Sequence, residues 1–226
     1  MALPIEKTET ITALDKQTIL IYGRPKVGKS TLCSKLANPL FLATEAGLNH
    51  LEVFKMNITS WVEFKAACRE IAGGKHEFKT IVIDTIDNLV ILCSAWVCAE
   101  NQINHPADLP MGKGWYLVTS ELRRVLMGLS ALPYGLVMVS HSVREKIETK
   151  TKNYDKWTIA ISGKNKNIFL DMSDMILFID QEMGNDGVEK RIIRTKPSMN
   201  WEAGDRTGLL PTTMELDADK LMSYFK

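Results

Sequence analysis

The segment Gly23–Ser30, GRPKVGKS, constrains the fold of this chain more than any other part of the sequence. It matches the pattern G-x-x-x-x-G-K-[ST], in which a glycine-rich loop joins a strand to a helix. The apolar run Thr18–Tyr22 precedes the segment and the amphipathic stretch Ser30–Leu36 follows it, so the required strand and helix are both predicted. A chance glycine turn is the alternative, and these flanking patterns argue against it.

The residue types of this loop suit a bound polyphosphate. Gly23 and Gly28 tolerate backbone angles that other residues resist, so the N–H groups of the loop can point at a β-phosphate. We expect Lys29 to bridge the β- and γ-phosphates and the Ser30 hydroxyl to bind Mg²⁺. The sequence has no NKxD segment for guanine, which favours ATP as the nucleotide. The predicted nucleotide-binding residues are Gly23, Arg24, Pro25, Lys26, Val27, Gly28, Lys29, Ser30, Thr31 and Asp84.

Apolar runs alternate with amphipathic stretches along the whole chain, which predicts an α/β fold. Strands are predicted at Thr18–Tyr22, Pro39–Ala43, Thr80–Asp84, Gly135–Val139, Met175–Ile179 and Arg191–Arg194. Helices are predicted at Ser30–Leu36, Ser60–Ala72, Asp87–Asn101 and Trp115–Leu132. Continuous apolar strands separated by helices indicate a mainly parallel sheet with helices on both faces. Asn185-Asp186-Gly187 predicts a hairpin turn, so the last strand should be antiparallel.

Length and composition fit a single soluble domain. The 226 residues predict one domain over 1–226, with an N-terminal extension at 1–16 and a short tail at 212–226. The net charge of +1 means that any nucleic-acid site must be a local basic patch. The four cysteines form no CxxC pair, and the N-terminus has no apolar signal core, so we expect a cytoplasmic protein with reduced thiols.

Three side chains beyond the loop are expected at the same edge of the sheet. Asp84 ends the buried run TIVID and should hold the magnesium, with Thr85 orienting a water; the alternative is a helix cap. Glu45 follows the second strand and should act as the catalytic base; the alternative is a solvent-facing carboxylate. His141 follows the fourth strand and should donate a hydrogen bond to the γ-phosphate, with Ser140 as the adjacent candidate; the alternative is a structural histidine.

Together, these motifs resemble the RecA-type ATPase core, and most closely the phage-encoded RecA-like single-strand annealing ATPases of the Sak group, which are AAA-type nucleotide-binding proteins. The segments that carry the resemblance are YGRPKVGKST, PLFLATEAGL, TIVIDTIDNL, GLVMVSHSVREK and RTKPSMNWEAGDRTGLLP. The resemblance implies ATP hydrolysis, single-stranded DNA binding and annealing or recombination in a host cytoplasm. It also implies a ring or filament with ATP at the subunit interface, and a single-strand-binding protein as a candidate partner. The recombinases' N-terminal oligomerisation module and C-terminal domain have no counterpart here, so a minimal core is expected.

The resemblance also implies residues that act across the subunit interface and on DNA. Arg194 and Lys196, two residues apart on a late strand and therefore expected to project from one face, would reach a neighbour's ATP. Arg206 is a weaker candidate, and an ordinary basic strand edge is the alternative. DNA would contact two loops, at Asn104–Trp115 and between Ser142 and Lys166. The candidate DNA-binding residues are Lys113, Trp115, Arg144, Lys146, Lys150, Lys152, Tyr154, Lys156 and Trp157. The alternative for the second loop is a charged hairpin whose aromatic side chains pack on the core.

Two other functional classes remain open from the sequence. One is a P-loop phosphotransferase acting on a small molecule, which would need a lid rich in arginines. The other is a nucleotide-dependent adaptor or helicase loader with negligible turnover. Transfer of phosphate to a nucleoside monophosphate would identify the first, and tight ATP binding with capture of a protein partner would identify the second.

Overall fold

A mixed β-sheet forms the centre of the protein, in a computed structural model that describes residues 3, 5–7, 10–149, 152–184 and 187–225. Within these residues the strands are β1 (Thr18–Gly23), β2 (Pro39–Ala43), β3 (Phe54–Asn57), β4 (Thr80–Asp84), β5 (Gly135–Glu148), β6 (Asn153–Ile159), β7 (Met175–Met183), β8 (Glu189–Arg194), β9 (Gly204–Asp205) and β10 (Thr213–Glu215). The α-helices are α1 (Lys29–Ser34), α2 (Trp61–Ala72), α3 (Ile86–Glu100), α4 (Lys113–Ser130), α5 (Gly163–Met172) and α6 (Ala218–Ser223). None of the helices in the described part of the chain has the length and apolar character needed to cross a membrane.

The strand order brings the ends of β1 and β4 to one edge of the sheet, beside the middle of β5. The order is β10-β8-β7-β1-β5-β4-β2-β3, and the strands from β7 to β3 are parallel. In register, Gly23 lies beside His141, and Asp84 lies between Val139 and Ala43. β8 pairs in antiparallel register with β7 on one side and with β10 on the other. The predicted α/β class, the mainly parallel sheet and the late antiparallel strand are therefore confirmed.

Helices cover both faces of the sheet, because alternate strand residues point to opposite sides. Leu20 and Tyr22 belong to one apolar core, with residues of α2, α3, α4 and α5, whereas Ile19 and Ile21 belong to the other, with residues of α1 and α6. The Tyr22 hydroxyl donates to the carbonyl oxygens of Glu202 at 2.6 Å and Trp157 at 3.2 Å. That contact ties the end of β1 to β6 and to the late part of the chain.

The region from Ser142 to Lys166 forms a hairpin followed by a helix. We expected a DNA-contacting loop there, with a charged hairpin as the alternative. The structure has the hairpin, because β5 continues to Glu148 and pairs with β6 in antiparallel register, and α5 follows. Both faces of the hairpin mix polar and apolar side chains, so its strands lack the clean hydrophobic alternation that identifies a half-buried strand. In the other predicted loop, Trp115 belongs to the first turn of α4. Asn185 and Asp186 of the predicted turn lie outside the described residues, although β7 and β8 form the hairpin.

Gly114 provides a test of how tightly α4 is seated. It is buried, and a Cβ at this position would overlap the backbone of Pro106. Gly114→Ala should therefore destabilise the protein by roughly 1–3 kcal/mol, the usual range for overpacking, measured by urea denaturation. Gly128→Ala in the same helix is the matched control, because a Cβ there meets nothing within 4 Å. Equal stabilities for the two variants would contradict the packing of α4 against Pro106.

Candidate functional site

The glycine-rich loop between β1 and α1 has the geometry that its sequence requires. Gly28 precedes α1 with φ of 108°, in the left-handed region that glycine tolerates best. Gly23 packs against β7, where an added Cβ would lie 2.6 Å from the carbonyl oxygen of Ile179. A side chain at either position would displace the loop, so both glycines fix its path around the site.

Lys29 and Asp84 are buried and Ser30 is half-buried, and together they form a polar cluster at the end of the loop. Lys29 is 6% exposed, and its Nζ donates to the carbonyl oxygens of Gly23 and Arg24, both at 3.0 Å. Burial lowers the pKa of Lys29, while the neighbouring carboxylates oppose that shift. The Ser30 hydroxyl donates to Asp84 Oδ2 at 2.6 Å. Burial raises the pKa of Asp84, and the Ser30 hydrogen bond and the Lys29 charge act in the opposite direction.

The same cluster has the donor set for a magnesium ion. A hydroxyl and a carboxylate oxygen are ligand types that Mg²⁺ uses when nucleotide phosphates complete its coordination. The buried Thr85 follows Asp84, and among the described residues its hydroxyl oxygen has no hydrogen-bond partner. Ser30 and Asp84 therefore fit the predicted metal site, and the Thr85 hydroxyl is a further buried oxygen in the residue that follows Asp84.

Glu45 lies two residues beyond β2 and faces the cluster from the neighbouring strand. Its Oε2 accepts from Asn88 Nδ2 at 3.3 Å, and its Oε1 is 3.9 Å from His141 Nε2. Burial raises the pKa of Glu45, the nearby carboxylates of Asp84 and Asp87 add to the shift, and His141 opposes it. A partly buried carboxylate with a raised pKa is suited to accepting a proton near neutral pH.

Asp87 is a site residue that the sequence analysis missed. It lies in the first turn of α3, where Oδ1 accepts from the Ser140 hydroxyl at 2.5 Å and Oδ2 accepts from the backbone N–H of His141 at 2.8 Å. Its Oδ2 is also 2.9 Å from His141 Nδ1. The available signal was its spacing, because Asp87 is the third residue after Asp84 and lies in the first turn of the helix that leaves the strand end.

The basic residues expected to reach a neighbouring subunit are engaged within their own chain. Arg194 Nε donates to Asp180 Oδ2 at 2.9 Å, and its guanidinium lies 4.3 Å from the ring centroid of Trp201. Lys196 follows the end of β8 and is 3.3 Å from Asp205 Oδ2, so the expectation that both residues project from one strand is wrong. The further candidate, Arg206, is 3.3 Å from Asp174 Oδ1. Another arginine reaches the nucleotide loop, with Arg191 Nη1 3.5 Å from the carbonyl oxygen of Val27.

The β5–β6 hairpin uses several of its predicted DNA contacts for internal packing. Trp157 stacks near Phe178 at a centroid distance of 6.3 Å, and the Arg24 guanidinium lies 5.0 Å from its ring centroid. Lys156 forms an ion pair with Glu202 at 2.7 Å. Trp157 and Lys156 are thus engaged within the chain, and DNA would have to displace these contacts, so DNA binding by either residue stays a prediction.

Among the other described hairpin candidates, Arg144 lies opposite Trp157, and Lys146, Lys152 and Tyr154 lie nearer the tip. Arg144 and Lys146 form ion pairs with Asp155 at 3.5 Å and with Glu148 at 3.7 Å, and such exposed pairs are weak. Lys152 is exposed and Tyr154 is half-buried, whereas Lys150 lies outside the described residues. The hairpin thus keeps part of its basic surface open to solvent.

The first predicted DNA segment borders a large cleft. The cleft has a volume of about 1460 Å³ and is enclosed by α3, the segment 103–106, and the first turns of α4 and α5. Lys113 and Trp115 line it, together with Tyr116 and Lys164, and Trp115 is 46% exposed. Asp87 also lines the cleft, so one residue borders both the cleft and the polar cluster.

The parallel sheet, the glycine-rich loop and the paired Ser30 and Asp84 define a P-loop nucleotide-binding protein. The chain belongs to the AAA_24 family, described as an AAA domain, whose model matches residues 15–207. The SPbeta prophage-derived uncharacterized protein YorG of Bacillus subtilis (strain 168) is 26% identical over 172 residues, which are 74% of this chain and 51% of that protein. The chain therefore spans about half the length of this curated relative. Membership of the Sak group stays a prediction.

Two solved structures resemble the chain at low sequence identity. Flagellar accessory protein FlaH from Methanocaldococcus jannaschii has a TM-score of 0.49 and 11% identity, over 89% of this chain and 84% of FlaH. The KaiC-like protein PH0186 from Pyrococcus horikoshii OT3 has a TM-score of 0.43 and 13% identity, over 80% of this chain and 78% of its own.

Proposed function

We propose that this protein binds ATP with Mg²⁺ at the glycine-rich loop and hydrolyses it. The observation that carries the proposal is the 2.6 Å hydrogen bond between Ser30 and Asp84, which joins the loop to the neighbouring carboxylate in a buried site. Lys29 and Glu45 lie at the same edge of the sheet. A lysine, a hydroxyl, a metal-type carboxylate and a second carboxylate of raised pKa are the groups that water attack on a γ-phosphate requires.

Each of these residues has a distinct role in the proposed reaction. Lys29, which donates to two loop carbonyls, would redirect its hydrogen bonds to the β- and γ-phosphate oxygens. Ser30 and Asp84 would hold the magnesium ion, which when bound neutralises charge on the phosphates. Glu45 would accept a proton from the attacking water. Burial of the cluster strengthens these electrostatic interactions, because the local dielectric constant is lower than that of water.

We further propose that the ATPase acts on single-stranded DNA, in annealing or recombination, and assembles as a homo-oligomer in the cytoplasm of a phage-infected host. The sequence resemblance to the Sak group and the prophage origin of the B. subtilis relative support this. So does the cleft, where Lys113 and Lys164 lie beside the exposed rings of Trp115 and Tyr116. Basic groups beside exposed aromatic rings suit a backbone-tracking groove on which bases stack.

The proposal predicts ATP hydrolysis that single-stranded DNA stimulates. Trp115→Ala should weaken DNA binding by about 1–3 kcal/mol, the usual cost of one lost base stack, and should reduce the stimulation in a phosphate-release assay. Phe54→Ala is the matched control, because Phe54 is an exposed aromatic on β3, far along the sheet order from the cleft.

The outcomes separate the candidate functions. Hydrolysis that is indifferent to single strands would leave the ATPase proposal standing and remove the DNA partner. Tight ATP binding without hydrolysis, together with capture of a protein partner, would favour an adaptor or helicase loader. Steady phosphate transfer to a nucleoside monophosphate would favour a small-molecule phosphotransferase.

A further inference from the structure

Asp87 contacts both the backbone and the ring of His141. One carboxylate oxygen accepts from the His141 backbone N–H at 2.8 Å and lies 2.9 Å from its ring Nδ1. The other oxygen accepts from the hydroxyl of Ser140 at 2.5 Å. The carboxylate therefore holds both the backbone and the ring of His141, which lies beside Gly23 of the nucleotide loop in the sheet register.

These contacts select one tautomer of the His141 ring. The Asp87 carboxylate accepts from the Ser140 hydroxyl and from the His141 backbone N–H. Because an ionised carboxylate has no proton to donate, Nδ1 must supply the proton of the third contact. In a neutral imidazole, a proton on Nδ1 leaves Nε2 as a hydrogen-bond acceptor. His141 Nε2 then faces Glu45 Oε1 across 3.9 Å as one acceptor facing another.

The distance between these two acceptors suits a shared water. At 3.9 Å the two atoms are too far apart for a direct hydrogen bond, whereas a single water can contact both. A water that donates one hydrogen to Glu45 and the other to His141 has its oxygen lone pairs free for the γ-phosphorus. Fixing both hydrogens orients the nucleophile more tightly than Glu45 alone can.

We infer that Asp87 is a positioning residue that holds His141 as the Nδ1–H tautomer, so that Nε2 and Glu45 together orient the attacking water. The inference rests on the proposed ATPase function, and it replaces the expected role of His141 as a hydrogen-bond donor to the γ-phosphate. In the reaction, the water oxygen bonds to the γ-phosphorus while the bond to the β–γ bridging oxygen breaks. One water proton passes to Glu45, the other remains on the released phosphate, and ADP leaves with the electron pair of the broken bond.

The tautomer can be measured without nucleotide or turnover. In ¹⁵N-labelled protein, long-range ¹H–¹⁵N spectra distinguish a protonated ring nitrogen from a bare one, and His141→Asn identifies the His141 signals by their loss. The spectra would be recorded from about pH 6 to about pH 9, which spans the titration of an ordinary histidine. We expect Nδ1–H with a bare Nε2 for neutral His141.

Two other histidines provide internal controls of the opposite kind. The backbone N–H of Phe78 donates to His76 Nδ1 at 3.2 Å, and that of Ala107 donates to His105 Nδ1 at 3.1 Å. Both rings must therefore carry the proton on Nε2 when neutral. A His141 pattern that matches these two, or a ring that stays doubly protonated over the whole range, would overturn the inference.

A kinetic test separates positioning from binding. Asp87→Asn keeps the size of the side chain but removes carboxylate acceptors, so kcat for ATP hydrolysis should fall by about 10²-fold, the low end of the usual contribution of general acid–base catalysis. The Kd for ATP should stay near the wild-type value, because the inferred role of Asp87 is to position His141. Asp219→Asn is the matched control, since Asp219 also lies in a first helical turn but is exposed.

The possible results keep the two proposals apart. If kcat is unchanged in Asp87→Asn while wild-type His141 has the expected tautomer, Asp87 does not position the reaction. If Asp87→Asn does not fold, the wild-type spectrum still decides the tautomer, and a ring with Nε2–H would end the inference. If wild-type protein binds ATP without hydrolysing it, the ATPase proposal fails, and the spectrum alone judges the contact between Asp87 and His141.

Discussion

Lys29→Ala is expected to abolish ATP binding and turnover while the fold is retained. The lysine is almost fully buried, and in the absence of phosphates its ammonium group is satisfied by two loop carbonyls. Two hydrogen bonds from a charged group to phosphate oxygens would be lost. Affinity should therefore fall by at least about 10²-fold, because hydrogen bonds to charged groups contribute roughly 1.5–3 kcal/mol each.

The sign of the pKa shift is one reason to expect that the fold is retained. Burial lowers the pKa of Lys29, so the folded state disfavours the charged form relative to the unfolded state. Below the folded pKa, the charged ammonium therefore costs stability, and alanine removes this cost. We expect a melting temperature in the absence of nucleotide close to that of the wild type.

The measurement is titration with a fluorescent ATP analogue, followed by phosphate release. Lys35→Ala is the control, because Lys35 is an exposed lysine at the end of α1. An unchanged ATPase rate in Lys29→Ala would remove the site assignment. Loss of binding together with a large fall in melting temperature would show that the lysine is needed for folding instead.

Glu45→Gln is expected to stop hydrolysis while preserving ATP binding. Glutamine has almost the same shape but cannot accept the proton of an attacking water. Turnover should fall by about 10²- to 10⁴-fold, the usual contribution of a general base. Affinity for ATP should stay the same or increase, since a negative charge facing the polyphosphate is removed.

The pH profile gives a second readout for Glu45. Burial raises its pKa, so the base form is reached only as the pH rises above that raised value, and wild-type turnover should increase through it. The Glu45→Gln variant should lack this rise. A raised folded pKa also means that the ionised carboxylate costs stability above the unfolded pKa, so glutamine should not lower the melting temperature at neutral pH.

Single-turnover hydrolysis and equilibrium binding would be measured on the same preparation. Glu52→Gln is the control, because Glu52 is an exposed carboxylate seven residues further along the chain. Wild-type turnover by Glu45→Gln would assign the base elsewhere. Loss of ATP binding in this variant would mean that Glu45 supports the nucleotide loop and does not act on water.

The strands that surround the site could be predicted from sequence because they are buried on both faces. The bounds of β2 and β4 agree with the predicted Pro39–Ala43 and Thr80–Asp84, where apolar residues run without interruption. β3 escaped prediction because Phe54–Asn57 is a largely exposed edge strand of only four residues, too short for its alternation to stand out. β6 escaped for the same physical reason, since solvent reaches much of the hairpin and its residues read as a polar loop.

The site itself could be predicted only as far as local motifs reach. The roles of Lys29 and Asp84 could be predicted because each belongs to a local sequence motif, the glycine-rich loop and the end of a buried apolar strand. The partners of His141 depend on which helix turn lies against the end of β5, and hydrophobic periodicity does not identify that contact. The pairing of Arg194 with Asp180 likewise depends on strand register, so a basic residue on a late strand looked free when it is held within the chain.

The length of β5 has a mechanical consequence. The strand starts in the buried core, passes the nucleotide loop at His141 and continues without a break to Glu148 in the exposed hairpin. Over those seven residues it extends roughly 23 Å, at the usual rise of about 3.3 Å per residue. A paired strand is stiff compared with a loop, so a force applied to the outer arm would act as torque at its inner end. A partner that binds the exposed hairpin would thereby apply a force to the His141 side chain at the nucleotide loop.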